Sequence, residues 1–194
     1  MLRHRLMLVS AVVLLLLPVG AQANTDYYFS GHLCQFDDEP SEGSYSSNGA
    51  KNDTATYNQK RTVWCPIVGV EGPSSVNVDD ANVYYFDGTD GFSVSCTLYV
   101  RNTSGTTYST AEKFSCSTSQ TTGCASESGG LENAYGTLNW NGSELPNSGS
   151  AIANVATYAF FCSIPSRFYR PAMGADQTDG YSFIRAYNVE QVSP

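Results

Sequence analysis

Six cysteines constrain the fold of this chain more than any other feature of its sequence. They are Cys34, Cys65, Cys96, Cys116, Cys124 and Cys162. An even number of cysteines in an exported chain is typical of a disulfide framework. Zinc binding is the alternative, but the sequence contains no C-x-x-C pair of the kind that structural zinc sites use. We therefore expect three disulfide bonds that staple the fold.

The pairing of these cysteines is only partly determined by local context, since six cysteines permit about 15 connectivities. Cys116 and Cys124 bracket a short polar stretch and are expected to close one local loop. We pair the other four as Cys34–Cys65 and Cys96–Cys162. The second of these bonds closes a long loop, which restricts the unfolded chain most. Other pairings, such as Cys65 with Cys96, stay open.

The segment 1–23 has the three parts of a secretory signal peptide. It has two arginines near its start, an apolar stretch over 6–19 and a small-residue cleavage box, Ala-Gln-Ala, at 21–23. The apolar stretch is shorter than the roughly 20 residues that a membrane-spanning helix needs. We therefore predict cleavage after this box and an exported mature chain, 24–194, that is extracellular or periplasmic and has no membrane span.

The charge of the chain indicates which partners it disfavours. The formal net charge is −8, and loss of Arg3 and Arg5 with the signal segment makes it −10. Such a chain lacks the basic surface that nucleic-acid phosphates require. Acidic composition also raises solubility without any functional meaning. We expect no nucleic-acid partner.

The hydrophobic pattern predicts an all-β fold. No segment keeps the helical spacing of apolar residues over three turns, whereas short runs rich in Val, Tyr, Phe and Thr are separated by turn-forming residues. Over 92–98 apolar and polar residues alternate strictly, as in a sheet with one packed and one solvated face. We predict a single-domain, disulfide-stapled antiparallel β-sandwich of the jelly-roll kind over 24–194. The polar segment 37–59 is predicted to be a long surface excursion.

A short acidic motif occurs twice, as D-G-T-D-G at 87–91 and D-Q-T-D-G at 176–180. We interpret it as a turn that enters a strand, because Asp-Gly supplies the positive φ of tight turns. Calcium is a weaker alternative, because the spacing does not match a calcium-binding loop of the EF-hand type. Its candidate ligands are Asp87, Asp90, Asp176 and Asp179. We expect no metal and no other cofactor.

Nucleophilic catalysis finds little support. A serine triad needs a histidine as base, and the predicted mature chain has only His32, two residues from Cys34. No G-x-S-x-G stretch occurs. A glycoside hydrolase that uses two carboxylates is the remaining enzymatic alternative. Acids that could form such a pair are Glu71, Glu112, Glu127, Glu132 and Glu144.

The aromatic residues favour a binding role. The chain contains 13 tyrosines, nine phenylalanines and two tryptophans, and exposed rings beside Asn and Asp suit sugar ligands. Trp140 precedes a turn and is predicted to be an exposed platform, with Asn139 and Asn141 beside it to bind hydroxyls. Weaker candidates are Tyr84, Tyr85 and Tyr169. Trp64 is predicted to pack in the core against the disulfide of Cys65.

Five short stretches occur in the order GHLC, TVWCPI, VNVDD, SCTLYV and FFCSIP over residues 31–189. In this the chain resembles a family of small, secreted, uncharacterised bacterial proteins with a G-x-x-C, W-C-P, V-x-V-x-D, C-T-L, C-S-[IL]-P pattern. The resemblance implies a β-rich fold and export, and it supports the pairing of the four outer cysteines. It transfers no catalytic residue.

Taken together, these features predict an exported, non-enzymatic binding or surface-structural protein. Carbohydrate or envelope material is the leading ligand class, and another surface protein is a further possible partner. The alternatives are the carboxylate-based glycoside hydrolase and a structural surface or matrix subunit without a small ligand.

The predicted processing can be tested on the exported protein. Mass spectrometry is expected to find Asn24 as the first residue and a mass lower by six hydrogens than that of the reduced chain, as three disulfides require. A secreted form that keeps the apolar segment, or that carries free thiols, would contradict this prediction.

Overall fold

The regular structure of the chain is almost entirely β. A computed structural model describes residues 24–37, 43–54, 59–68, 77–88, 92–102, 104–116, 124, 134–145, 155–166 and 181–192. Apart from one 3-10 turn at Gly31–Leu33, the elements in these ranges are strands. They are β1 (Asn24–Ser30), β2 (Gln35–Phe36), β3 (Gly43–Ser46), β4 (Gly49–Asn52), β5 (Lys60–Ile67), β6 (Asn77–Asp87), β7 (Ser95–Asn102), β8 (Thr107–Ser109), β9 (Lys113–Phe114), β10 (Ala134–Asn141), β11 (Val155–Pro165) and β12 (Phe183–Val192).

The strands form two antiparallel sheets. In sheet A the order is β10-β6-β12, with β1 beside one part of β12 and the β4–β3 hairpin beside the other. In sheet B the order is β2-β5-β11-β7, with β8 and β9 both paired to the far side of β7. The main orders β1-β12-β6-β10 and β5-β11-β7-β8 are those of a jelly roll. The predicted antiparallel β-sandwich is therefore confirmed.

The core is built from the inward-facing residues of both sheets. Phe160 of β11 connects them, because its ring lies 5.5 Å from the ring of Trp140 in β10 and 5.9 Å from that of Tyr187 in β12. Each large apolar side chain buried in this way stabilises the fold by about 1.5–3 kcal/mol. The largest fully buried side chains include Trp140, Tyr187, Phe160, Leu98, Leu138, Ile164 and Ile184.

Three disulfide bonds staple the fold, as predicted. They are Cys34–Cys65, Cys96–Cys162 and Cys116–Cys124. Cys96 and Cys162 are 66 residues apart in sequence but directly opposite each other on the neighbouring strands β7 and β11. These bonds indicate an oxidising, extracytoplasmic environment.

The segment 37–59 is not a simple surface excursion, contrary to the prediction. Part of it forms the β3–β4 hairpin, and β4 pairs with the start of β12. Asn52 at the end of β4 is fully buried, and its Nδ2 donates to the backbone oxygens of Gln59 and Ile164, each at 3.0 Å. These hydrogen bonds offset the cost of burying a polar amide.

The predicted signal segment, 1–23, lies outside the described residues. Within the ranges given above, no helix is long and apolar enough to cross a membrane.

Three buried tyrosines make the stability of the fold sensitive to alkaline pH. Burial raises the pKa of Tyr158 to about 12. Burial, with the nearby Asp87 carboxylate, raises the pKa of Tyr85 to about 12, and burial also raises the pKa of Tyr187. In the unfolded chain a phenol ionises near about pH 10. The stabilisation of the folded state by these neutral, buried phenols is therefore complete below about pH 10. It is lost as the pH rises through the higher pKa of the folded state.

We expect the Tm to be steady up to about pH 10 and to fall above it. Thermal unfolding followed by circular dichroism, together with phenolate absorbance, measures this dependence. The double variant Tyr85→Phe, Tyr158→Phe removes two of the three groups, so its Tm should fall less with pH. An equal fall in both proteins would contradict the assignment.

Candidate ligand-binding faces

Trp140 lies in the core, so the prediction that it is an exposed platform is wrong. It is fully buried, and its Nε1–H donates to the backbone oxygen of Ala111 at 3.0 Å. Leu138 and Trp140 point to the same side of β10, and that side packs against sheet B. The following turn begins only after Asn141, so its proximity does not expose the ring.

The other predicted ligand-binding residues divide between the two sides of sheet A. Tyr85 faces inward and is buried, so it is also wrong as a surface candidate. Tyr84 and Asn139 lie on the outer face, as does Asn141 at the end of β10, since directly opposed residues of adjacent strands share a face. Tyr169 lies outside the described residues.

The polar groups of this outer face are hydrogen-bonded to one another. The Nδ2 of Asn139 donates to Asp80 and, at 2.8 Å, to the Oδ1 of Asn82. Asn82 in turn donates to Asp80 at 3.2 Å. Asn141 is equally engaged, because its Oδ1 accepts from the backbone N–H and the hydroxyl of Ser143. These side chains therefore stabilise the sheet and its turn, and few of their hydrogen-bonding groups remain available to bind a ligand.

An acidic row crosses the same face. Asp26 of β1 lies directly opposite Glu190 of β12, and Glu190 lies directly opposite Asp80 of β6. Tyr84 lies near this row, and its pKa is raised by burial, by a hydrogen bond with Tyr28 and by the nearby acids. Within the described ranges, no group of three or more His, Cys, Asp or Glu side chains could hold a metal ion.

Asp87, one of the four candidate calcium ligands, has a structural role. It is buried, and its carboxylate accepts hydrogen bonds from the hydroxyls of Ser115 and, at 3.0 Å, Ser182. These hydroxyls themselves accept from the backbone N–H groups of Val94 and Gly88. The carboxylate thus joins the end of β6 to the segments after β9 and before β12. Asp90, Asp176 and Asp179 lie outside the described residues.

Two of the described candidates for catalysis, His32 and Glu144, are engaged, whereas Glu112 is exposed. His32 contacts the backbone oxygen of Ser46 through Nε2 at 2.6 Å, which ties the 3-10 turn to the β3–β4 hairpin. Glu144 forms an ion pair with Lys113 at 2.7 Å. Partial burial raises the pKa of Glu144, but the hydrogen bonds from Lys113 and the Asn141 backbone outweigh it and lower the pKa overall. Glu71, Glu127 and Glu132 lie outside the described residues.

The second tryptophan, Trp64, is exposed, which corrects its predicted place in the core. Its exposed fraction is 39%, and it lies on the outer face of sheet B with Tyr99 and Phe161. The three ring centroids are 6.1 Å apart in each pair. We call these three residues the aromatic platform. Ala159 lies directly opposite Tyr99, and its small side chain leaves space for the two larger rings to meet above it.

The platform is surrounded by polar groups that no described residue engages. They belong to Gln35, Thr62, Thr97 and Ser163, which share its face. Neither these side chains nor the Trp64 indole N–H nor the Tyr99 hydroxyl has a hydrogen-bond partner in the part of the chain that the structure describes. The described strands place Lys60 and Arg101 near the margins of this face and no acidic residue on it.

The alternation of the strands contained the signal that separates the two tryptophans. Cys65 is buried in a disulfide, so in an extended strand its neighbour Trp64 must point to the opposite face. Trp140 is in phase with Leu138, an inward-facing residue. The place of a residue in the alternation along its strand therefore predicts which face its side chain takes better than a nearby turn or disulfide does.

The two tryptophans should differ in stability and in solvent access. Trp140→Ala is expected to lower the free energy of unfolding by about 3–5 kcal/mol, because it empties a core site. Trp64→Ala is expected to cost less, about 1–2 kcal/mol, because it removes mainly two ring contacts. Denaturant unfolding measures both changes.

Fluorescence quenching provides an independent measurement. Trp140→Phe leaves Trp64 as the only tryptophan, and acrylamide should quench it strongly. Trp64→Phe leaves the buried Trp140, which should be protected and emit at shorter wavelength. Equal quenching of the two variants would show that these positions are assigned wrongly.

The resemblance to secreted bacterial proteins stays a prediction, and the geometry of the two faces carries the functional argument. No family model matches the sequence, and no curated protein or solved structure matches it either.

Proposed function

We propose that the protein is an exported, non-enzymatic carbohydrate-binding β-sandwich whose binding face is the aromatic platform. The observation that carries this proposal is the exposed Trp64, held between Tyr99 and Phe161 and surrounded by unengaged polar groups. The fold alone does not determine the function, because sandwiches serve many roles.

The chemistry of the platform suits a sugar. A pyranose presents C–H groups on its faces and hydroxyls at its edges. The C–H faces can pack on the rings of Trp64 and Tyr99, while the indole N–H and the tyrosine hydroxyl remain available at the ring edges. The hydroxyls of Thr62, Thr97 and Ser163 lie within the same face and can exchange water for ligand hydroxyls.

The hydrogen bonds on the outer face of sheet A disfavour it as the binding face. Its amides are already bonded to Asp80, so a ligand would have to break these hydrogen bonds before forming its own. Leaving a polar group without its partner costs about 1–3 kcal/mol. The polar side chains around the aromatic platform have no hydrogen bond to a described residue that a ligand would first have to break.

The shape and charge of the platform indicate the class of carbohydrate. The platform extends over β5, β11 and β7, which at about 4.8 Å per strand spacing gives a width of roughly 10 Å. A face of this kind supports a segment of an extended polysaccharide better than a single terminal sugar. Because the charged side chains that the described strands place on this face, those of Lys60 and Arg101, are cationic, neutral or weakly anionic envelope polysaccharides are the favoured ligands.

Glycan-array screening of the mature protein, followed by titration of the best ligand, tests the proposal. Trp64→Ala should weaken binding by at least about thirtyfold, because a central aromatic anchor contributes about 2 kcal/mol or more. The matched control is Tyr135→Ala, which removes a ring of 57% exposure from sheet A and should leave affinity unchanged. Binding that survives in Trp64→Ala but fails in Tyr135→Ala would place the ligand on the opposite sheet and contradict the proposal.

A further inference from the structure

The end of the β10 edge of sheet A, at Asn139 and Asn141, is protected against pairing with another strand. The backbone oxygen of Asn139 accepts a hydrogen bond from Lys113 Nζ. The backbone N–H of Asn141 donates to the Glu144 carboxylate at 3.1 Å, and its oxygen accepts from the Glu144 backbone at 2.8 Å. An inward-pointing lysine and a capped strand end are recognised means of blocking an edge.

The edges of sheet B are protected in other ways. β5 is partly covered by β2, and the backbone N–H of Asp37 donates to the oxygen of Thr62 at 3.0 Å. Pro66 in the same strand has no N–H to offer. At the other edge, β7 is covered by the short strands β8 and β9.

The edge formed by β1 is different. This strand has seven residues and pairs along its full length with β12. The direction of its backbone groups follows from β10 at the opposite edge of the sheet, where those of Asn139 and Asn141 point away from β6. In an antiparallel sheet, successive residues point their backbone groups to alternate sides. Followed through the pairing of β10 with β6, β6 with β12 and β12 with β1, this alternation directs the backbone groups of Tyr27 and Phe29 towards β12. The backbone groups of Asp26 and Tyr28 therefore point outward, and no described residue hydrogen-bonds to them there.

Exposed apolar side chains cluster on this flank of sheet A. Tyr28 of β1 is 65% exposed and Leu33 of the following turn 47%. Tyr45 of β3, which continues the flank beyond β4, is 50% exposed, although its hydroxyl donates to the Cys34 backbone oxygen at 2.6 Å. Tyr45 lies directly opposite Ala50, which pairs with core-facing Ile184, so its ring is on the other face of the sheet from Tyr28. Tyr28 and Leu33 are thus the two large exposed apolar residues that the described part of the chain places beside β1.

We propose that β1 pairs antiparallel with β1 of a second copy of this chain, so that sheet A continues across a twofold axis. A register centred on Tyr28 places this ring against its counterpart. It also places Asp26 opposite Ser30, whose hydroxyl is engaged by His32 of its own chain, instead of opposite another aspartate. The strand is therefore complementary to itself, which is the requirement for a twofold interface.

Sedimentation equilibrium of the exported protein, over a range of concentrations and without glycan, tests this interface. The expected result is a dimer that dissociates on dilution. Tyr28→Pro removes the outward N–H without touching the bonds to β12, a position where an edge strand tolerates proline, and should give a monomer. A wild-type protein that stays monomeric at the highest attainable concentration would overturn the proposal.

A second variant covers the case in which the proline impairs folding. Tyr28→Lys keeps the backbone N–H, replaces the exposed ring together with its hydrogen bond to Tyr84, and brings two like charges together across the axis. It should weaken the dimer at least tenfold, and added salt should restore part of the association. The control Tyr135→Lys carries the same change on β10 and should dimerise normally. Dimers that persist unchanged in Tyr28→Lys would show that the interface lies elsewhere.

Discussion

The position of Cys96 directly opposite Cys162 fixes how β7 aligns with β11, and both faces of sheet B depend on that alignment. Side chains of a strand alternate between faces, so a shift by one residue reverses the whole strand. Such a shift would turn Phe160 out of the core and Phe161 into it. The disulfide, the packed core and the exposed platform are thus consequences of a single register.

The buried carboxylate of Asp87 serves a comparable purpose at the ends of the strands. A carboxyl group away from water must be satisfied by hydrogen bonds, and here the donors come from Ser115 and Ser182, which are distant in sequence. Their hydroxyls also hold backbone N–H groups of neighbouring segments. The sandwich is therefore closed by disulfides in one region and by a polar cluster in another.

Most of the architecture could be predicted from alternation, turn residues and cysteines, because these act locally along the chain. The predicted positions of the two tryptophans are wrong because a nearby turn or disulfide does not determine which face a side chain takes. Its place in the alternation along the strand does. The β3–β4 hairpin was missed because its sequence is polar and its buried Asn52 is satisfied by Ile164, 112 residues away. Hydrogen bonds over such separations leave no periodic signal. The platform likewise exists only once three distant strands are adjacent.

Charge is divided unequally between the two outer faces. Among the described residues, the outer face of sheet A carries the row of Asp26, Glu190 and Asp80 together with Lys51 and Arg185, whereas the outer face of sheet B carries Lys60 and Arg101. Among the described residues, the outer face of sheet A is therefore more acidic than that of sheet B. Near an anionic envelope, repulsion acts first on sheet A, over about 8 Å at physiological ionic strength. Such repulsion would favour approach to an anionic surface with sheet B in front, so the orientation would be selected before any contact forms.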